Sequence, residues 1–160
     1  MVAYIAVIGG GQASRRDEDL AESVGRHLGA AGAAVVCGGL GGVMAGACRG
    51  AQQAGGLTIG ILPGLERSDA NAWVDVALPT GLGEGRNLLV IRAADAVIAV
   101  GGEYGTLSEI ALALRSGIPV VGLGTWVLTR PDGTADPGVV VADDPGRAAT
   151  LALELARFPR

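Results

Sequence analysis

The sequence contains no lysine: every one of its 12 basic residues is an arginine. Without an ε-amino group the chain cannot form a Schiff base with pyridoxal phosphate, nor carry a Walker-A lysine. It has a single histidine, His27, which excludes a multi-histidine metal site within one chain. Its two cysteines, Cys37 and Cys48, form no C-x-x-C pair. They read as buried thiols of a reducing cytosol rather than as a disulfide framework. Basic stripes are missing too. The net charge is −4 and the isoelectric point about 4.9, which argues against a nucleic-acid partner. No apolar run approaches the roughly 18 residues of a membrane helix; Leu88–Val100 is interrupted by Arg92 and Asp95. Residues 1–8 carry neither a basic leader nor a small-residue cleavage site, so no signal peptide is expected and the predicted location is the cytoplasm.

What is present is hydrophobic and rich in glycine. Of 160 residues, 49% are hydrophobic and 28 are glycine, a composition for one folded domain over residues 1–160. Short apolar runs alternate with helical periods. Strands are predicted at Ala3–Ile8, Ala33–Cys37, Leu57–Leu62, Val74–Leu78, Ala96–Val100, Ile118–Leu123, Trp126–Thr129 and Val139–Ala142. Helices are predicted at Asp17–Ala31, Val43–Ala54 and Arg86–Ala94, along the face Leu107, Ile110, Ala111 and Leu114, and after an Asp144-Pro145 start. Continuous apolar strands alternating with helices indicate a parallel sheet covered on both faces. The predicted fold is therefore an α/β, doubly wound Rossmann-like single domain. Such folds bind ligands at the carboxyl ends of strands, near a switch point. The glycines cluster at those ends: residues 9–11, 38–42, 63–64 and 101–105.

Two of these loops bear on chemistry. Gly9-Gly10-Gly11-Gln12-Ala13-Ser14 resembles a dinucleotide fingerprint but lacks its third glycine, and the acid expected after the second strand is replaced by Cys37-Gly38-Gly39. That argues against NAD, while Gly9 and Gly10 still let a ligand approach the backbone. The second loop, Gly101-Gly102-Glu103-Tyr104-Gly105-Thr106-Leu107-Ser108-Glu109, leaves a buried strand and opens a helix. Free amides at a helix N-terminus make an anion site, and glycine admits a phosphate closely. Thr106-Leu107-Ser108-Glu109 also spells a capping box, so Glu109 reads equally as a helix cap or as a ligand-facing acid. Arg86, after Gly83-Glu84-Gly85, reads either as a bidentate phosphate clamp or as a solvated residue at a helix start. Tyr104 reads as a base-stacking ring or a packing element.

At these residues the chain resembles a known superfamily. Gly102–Glu109 and the upstream Arg86 resemble the P-G-G-x-G-T-x-x-E and M-x-x-R-K motifs of the LOG family of phosphoribohydrolases, often labelled lysine decarboxylases. Val36–Met44 resembles the family's Y-G-G-G-x-x-G-L-M segment, and Ile59–Pro63 its G-V-I-P strand end. Gly85-Arg86-Asn87 and Gly105–Leu123 resemble a branch of small Rossmann-fold nucleotide-binding proteins that includes molybdenum cofactor carriers. The resemblance implies roles. Arg86 and Glu109 would be catalytic, and Gly102, Gly105 and Thr106 would cradle a phosphate, with Gly9, Gly10 and Gly39 as further ligand-side glycines. The implied reaction hydrolyses the N-glycosidic bond of a nucleoside 5′-monophosphate and requires no cofactor. The alternative is a non-enzymatic carrier that holds a molybdenum cofactor or nucleotide. The decarboxylase label fails on chemistry, for want of a lysine. The implied partner is a small phosphate-bearing ligand, with neither nucleic acid nor membrane. Family precedent and the small-residue helices imply a homodimer or larger assembly. Three departures weigh against turnover: Gly101 stands where the family has proline, Glu103 where it has glycine and Asn87 where it has lysine.

Overall fold

The computed structural model describes residues 1–156. Seven parallel strands form one sheet in the order β4-β3-β2-β1-β5-β6-β7. The strands are β1 (Tyr4–Gly9), β2 (Ala34–Cys37), β3 (Thr58–Leu62), β4 (Val76–Pro79), β5 (Ala96–Val100), β6 (Val120–Leu123) and β7 (Val139–Val141). The helices are α1 (Arg15–Ala30), α2 (Val43–Gln53), α3 (Asn87–Arg92), α4 (Tyr104–Arg115) and α5 (Pro145–Ala156). The chain winds outward from β1 to β4, then returns to place β5 on the other side of β1, in register from Ile5↔Ala96 to Gly9↔Val100. The carboxyl ends of β1 and β5 are thus the switch point of a doubly wound sheet.

Burial on both faces explains the unbroken apolar strands. Every residue of β2, β5 and β6 is buried. One core layer joins Ile5, Val7, Val35, Ile98 and Val100 to α1, α2 and α5. The other joins Ala6, Val36, Val97, Ala99 and Val120 to α3 and α4. Successive strand residues supply opposite layers because strand side chains alternate between faces.

The glycines of α2 pack against α1, while its Val43, Ala47 and Ala51 join the core layer on the sheet. A methyl at Gly25 would land on the Ala47 carbonyl oxygen, and one at Gly50 on that of Glu22. Gly46 leaves only 2.7 Å between such a methyl and the Glu18 carbonyl oxygen. Gly25, Gly46 and Gly50 are thus taken up in the contact between α1 and α2. Arg49 fastens the same seam, donating to Glu22 Oε2 from Nε at 2.9 Å and from Nη2 at 2.6 Å. Gly50→Ala is expected to lower stability by about 2 kcal/mol, overpacking against backbone outweighing the gain in helix propensity. Urea unfolding measures this; an unchanged midpoint would show that the two helices separate freely.

One expected strand is absent. Trp126–Thr129 forms no strand; it makes one antiparallel bridge, Thr129↔Ala135, because β7 takes the pairing edge of β6. A turn follows it, with Gly133 N–H donating to the Arg130 carbonyl at 2.9 Å. The predicted helix Arg86–Ala94 is present as α3, entered through a 3₁₀ turn over Gly83–Arg86. None of the described helices is long and apolar enough to cross a membrane.

Candidate functional site

A cavity of about 380 Å³ opens at the switch point. Its walls are Gly9, Gly10 and Gly11 after β1, Gly38 after β2, Arg86 and Asn87 at the start of α3, and Glu103, Gly105, Thr106 and Glu109 from the β5–α4 segment. Six of the eight residues expected at a site therefore meet around one cavity: Arg86, Glu109, Gly9, Gly10, Gly105 and Thr106.

Gly39 and Gly102 stand outside it. Gly39, at φ +77°, turns its Cα toward Leu62 and Gly60, and its amide donates to Cys37 Sγ at 3.3 Å. It shapes the loop that presents its neighbour Gly38. Gly102, at φ +89°, lies under the Thr106 side chain, where any Cβ would collide with the hydroxyl. It lines an adjoining cleft with Gly10, Gln12, Asp17 and Glu103.

The capping box does not form. Glu103 is the N-cap residue of α4, so Thr106 sits inside the first turn and Glu109 lies a turn further along. Gly101 (φ +52°) and Gly102 set the entry angle with backbone torsions that suit glycine, and the helix begins two residues before the Thr106 hydroxyl could cap it. The first-turn amides, those of Gly105 and Thr106 among them, have no intrahelical partner and carry the positive end of the helix dipole. Gly105 leaves open space where a side chain would stand.

Arg86 and Glu109 are both buried, at 8% and 9% exposure. Among the described residues Arg86 forms no ion pair with an acid. Its Nη2 donates to the Gly38 carbonyl at 3.3 Å, and its Nη1 donates to Asn87 Oδ1. Nε is buried without a partner. Asn87 thus orients the guanidinium. Burial pushes the Glu109 carboxyl up to about 7, and the positive charge of Arg86 opposes that rise. Burial likewise lowers the Arg86 guanidinium, against the opposing pull of Glu109 and Cys37. Glu103 is exposed at the rim, and its carbonyl accepts from Trp126 Nε1 at 3.1 Å. Tyr104 packs on Trp126 with ring centroids 5.6 Å apart.

Chemically, the cavity offers a cation with donor capacity to spare, a helix N-terminus, and an acid poised to exchange a proton near neutrality. Sequence reasoning missed Gly38, Met44 and Asn87 as wall residues. Gly38 belongs to the 38–42 glycine cluster, Asn87 stands in the sequence only as a replaced lysine, and Met44 ends the Val36–Met44 segment that resembles the family motif. Among the described residues no group of three or more His, Cys, Asp or Glu side chains could hold a metal ion.

Comparison with known proteins fits this geometry. Residues 2–148 match the model of the SLOG cluster4 family. An uncharacterised protein of Archaeoglobus fulgidus is 40% identical over 119 residues, spanning 74% of this chain and 78% of that protein. The solved molybdenum cofactor binding protein of Rippkaea orientalis superposes with a TM-score of 0.86 at 34% identity, covering 97% of this chain and 98% of its own. The molybdenum cofactor carrier protein of Chlamydomonas reinhardtii gives the same score at 32% identity, covering 99% and 100%.

Proposed function

The chain belongs to the SLOG cluster4 family, and from that premise we propose that it binds a phosphate-bearing, nucleotide-like ligand in the switch-point cavity. The observation that carries this reading is the pair Arg86 and Glu109: two buried ionisable side chains facing one cavity, the arginine with an unbonded Nε. An unpartnered buried donor on a charged group is costly unless something completes it. A phosphate would do so, accepting from the guanidinium and from the α4 amides together. The cavity volume falls within the roughly 300–1,000 Å³ range of small-molecule sites.

Bound in this way, the ligand would place its glycosidic carbon near Glu109. A carboxyl near neutrality exchanges protons readily and suits general acid–base work. In the hydrolytic reading, water adds to C1′ of a nucleoside 5′-monophosphate, the C1′–N bond breaks, and the base leaves with a proton. Phosphate binding energy would hold the reacting carbon in place. The second reading is a carrier that holds a molybdenum cofactor or nucleotide without turnover. It is favoured by the similarity to the Rippkaea and Chlamydomonas proteins and by Glu103 in the glycine loop.

The test incubates the protein, and its Glu109→Gln variant, with AMP and other nucleoside 5′-monophosphates and separates any released base by chromatography. Base release that is lost in the variant establishes hydrolysis. Heat of binding for the same nucleotides or for a pterin phosphate, without release, establishes a carrier. If no phosphate ligand gives heat or product, the proposal fails.

A further inference from the structure

Behind the cavity wall lies a pair of thiols that the ligand site does not use. Cys37 ends β2, Cys48 lies midway along α2, and both are fully buried. Their sulfurs are 3.4 Å apart. Met44, which lines the cavity, packs against both. The pair is asymmetric. The neighbouring Cys48 thiol draws Cys37 toward thiolate, burial opposes this, and the Gly39 amide and the Arg86 charge add to the lowering. Cys48 is pushed up by the same contact and by burial. Cys37 also adjoins Gly38 of the cavity wall, which makes it the nucleophile and Cys48 the resolving thiol.

We propose that Cys37 and Cys48 form a reversible disulfide under peroxide and that this bond weakens the ligand cavity. Neither sulfur lines the cavity, so hydrogen peroxide entering beside Gly38 and Met44 reaches Cys37 as those two wall residues move apart. The Cys37 thiolate attacks one peroxide oxygen, the O–O bond breaks, and the hydroxide released takes up a proton. Cys48 then attacks the Cys37 sulfenic sulfur, the S–O bond breaks, and water leaves with the Cys48 proton. The two thiols lose two electrons, and the peroxide is reduced to two waters.

The bond reaches the site through the backbone. The sulfurs must close from 3.4 Å to about 2.05 Å. Helix α2 cannot follow, because Gly25, Gly46 and Gly50 lock it to α1. The movement falls on Cys37-Gly38-Gly39. The Gly39 amide's bond to Cys37 Sγ is disturbed, and the Gly38 carbonyl is drawn from Arg86 Nη2. Formation of the bond stands on this geometry alone; its effect on binding rests on the function proposed above.

The experiment treats the intact protein with hydrogen peroxide, unfolds it in an alkylating agent and weighs it. A native portion is titrated with AMP by calorimetry. The expected chain is lighter by two hydrogens, takes up no alkylating agent, and binds AMP about tenfold more weakly; dithiothreitol reverses all three. Two alkylated thiols, or sulfinic acid in place of the bond, overturn the proposal, as does a disulfide that leaves AMP affinity unchanged. Oxidation of Met44 is told apart because it adds an oxygen. Reduced protein that binds neither AMP nor a pterin phosphate overturns the ligand reading and the switch, while the mass still decides the bond.

Discussion

Glu109→Gln is expected to stabilise the protein by about 3 kcal/mol above pH 7 and to leave it nearly unchanged below about pH 4.5. Unfolded, the carboxyl titrates at an ordinary value of 4.5; folded, it titrates at about 7. Between those values the native state holds a proton that the unfolded chain has released. Stability therefore falls as pH rises through this window and levels off above it. Below the window both states are protonated and the cost vanishes. The variant's amide is neutral throughout, so this part of the pH dependence disappears. Urea unfolding of both proteins at pH 5 and pH 8 checks it, since contributions from every other group cancel in the difference. Parallel pH profiles for the two proteins would mean that Glu109 is solvated and not desolvated by the cavity. The sign matters for function. A carboxylate that the fold would be more stable without is a poor structural cap, and its retention suits a group that works on a ligand.

Arg86→Gln is expected to weaken binding of a nucleoside monophosphate by roughly a hundredfold, from the loss of about 3 kcal/mol of charge-assisted hydrogen bonding. Arg86→Lys should recover only part of this, because an ammonium keeps the charge but not the planar fork. Folding should survive both changes, since the guanidinium is buried with an unmatched Nε and holds no acid in an ion pair. Calorimetry alongside circular dichroism separates the two effects. Full affinity in Arg86→Gln would move the phosphate to the α4 amides alone. The variant carries a second signature. With its opposing charge gone, Glu109 should titrate higher still, which would shift the pH dependence of any base release upward.

Most of the architecture was legible along the chain. The run Ala96–Val100 is β5 residue for residue, and the other six strands lie within two residues of their apolar runs. Burial on both sheet faces leaves a local mark, since each strand must be apolar throughout. The glycine clusters located the carboxyl ends where the cavity opens. Helix starts were less legible. Ser14 caps α1, its hydroxyl accepting from the Asp17 amide at 3.1 Å, although the apolar period suggested a start at Asp17 itself. Thr106 spelled a cap and makes none, because Gly101 and Gly102 turn the chain into the helix before it.

The sequence by itself determined the parallel sheet, the exclusion of lysine chemistry and the set of loops that could touch a ligand. Each of these follows from residue type and local period. Only the tertiary structure decided which loops converge, since strand order is a non-local property: β5 pairs with β1 across some ninety residues of chain. It also decided that Arg86 and Glu109 are buried around one cavity, with no ion pair to Arg86 among the described residues. Burial and a shifted carboxyl arise from neighbours brought in by the fold, and residue spacing carries no record of them. The small residues of α2 make the same point. Their composition permits close packing, and the fold alone determined that α1, rather than a second chain, takes it up.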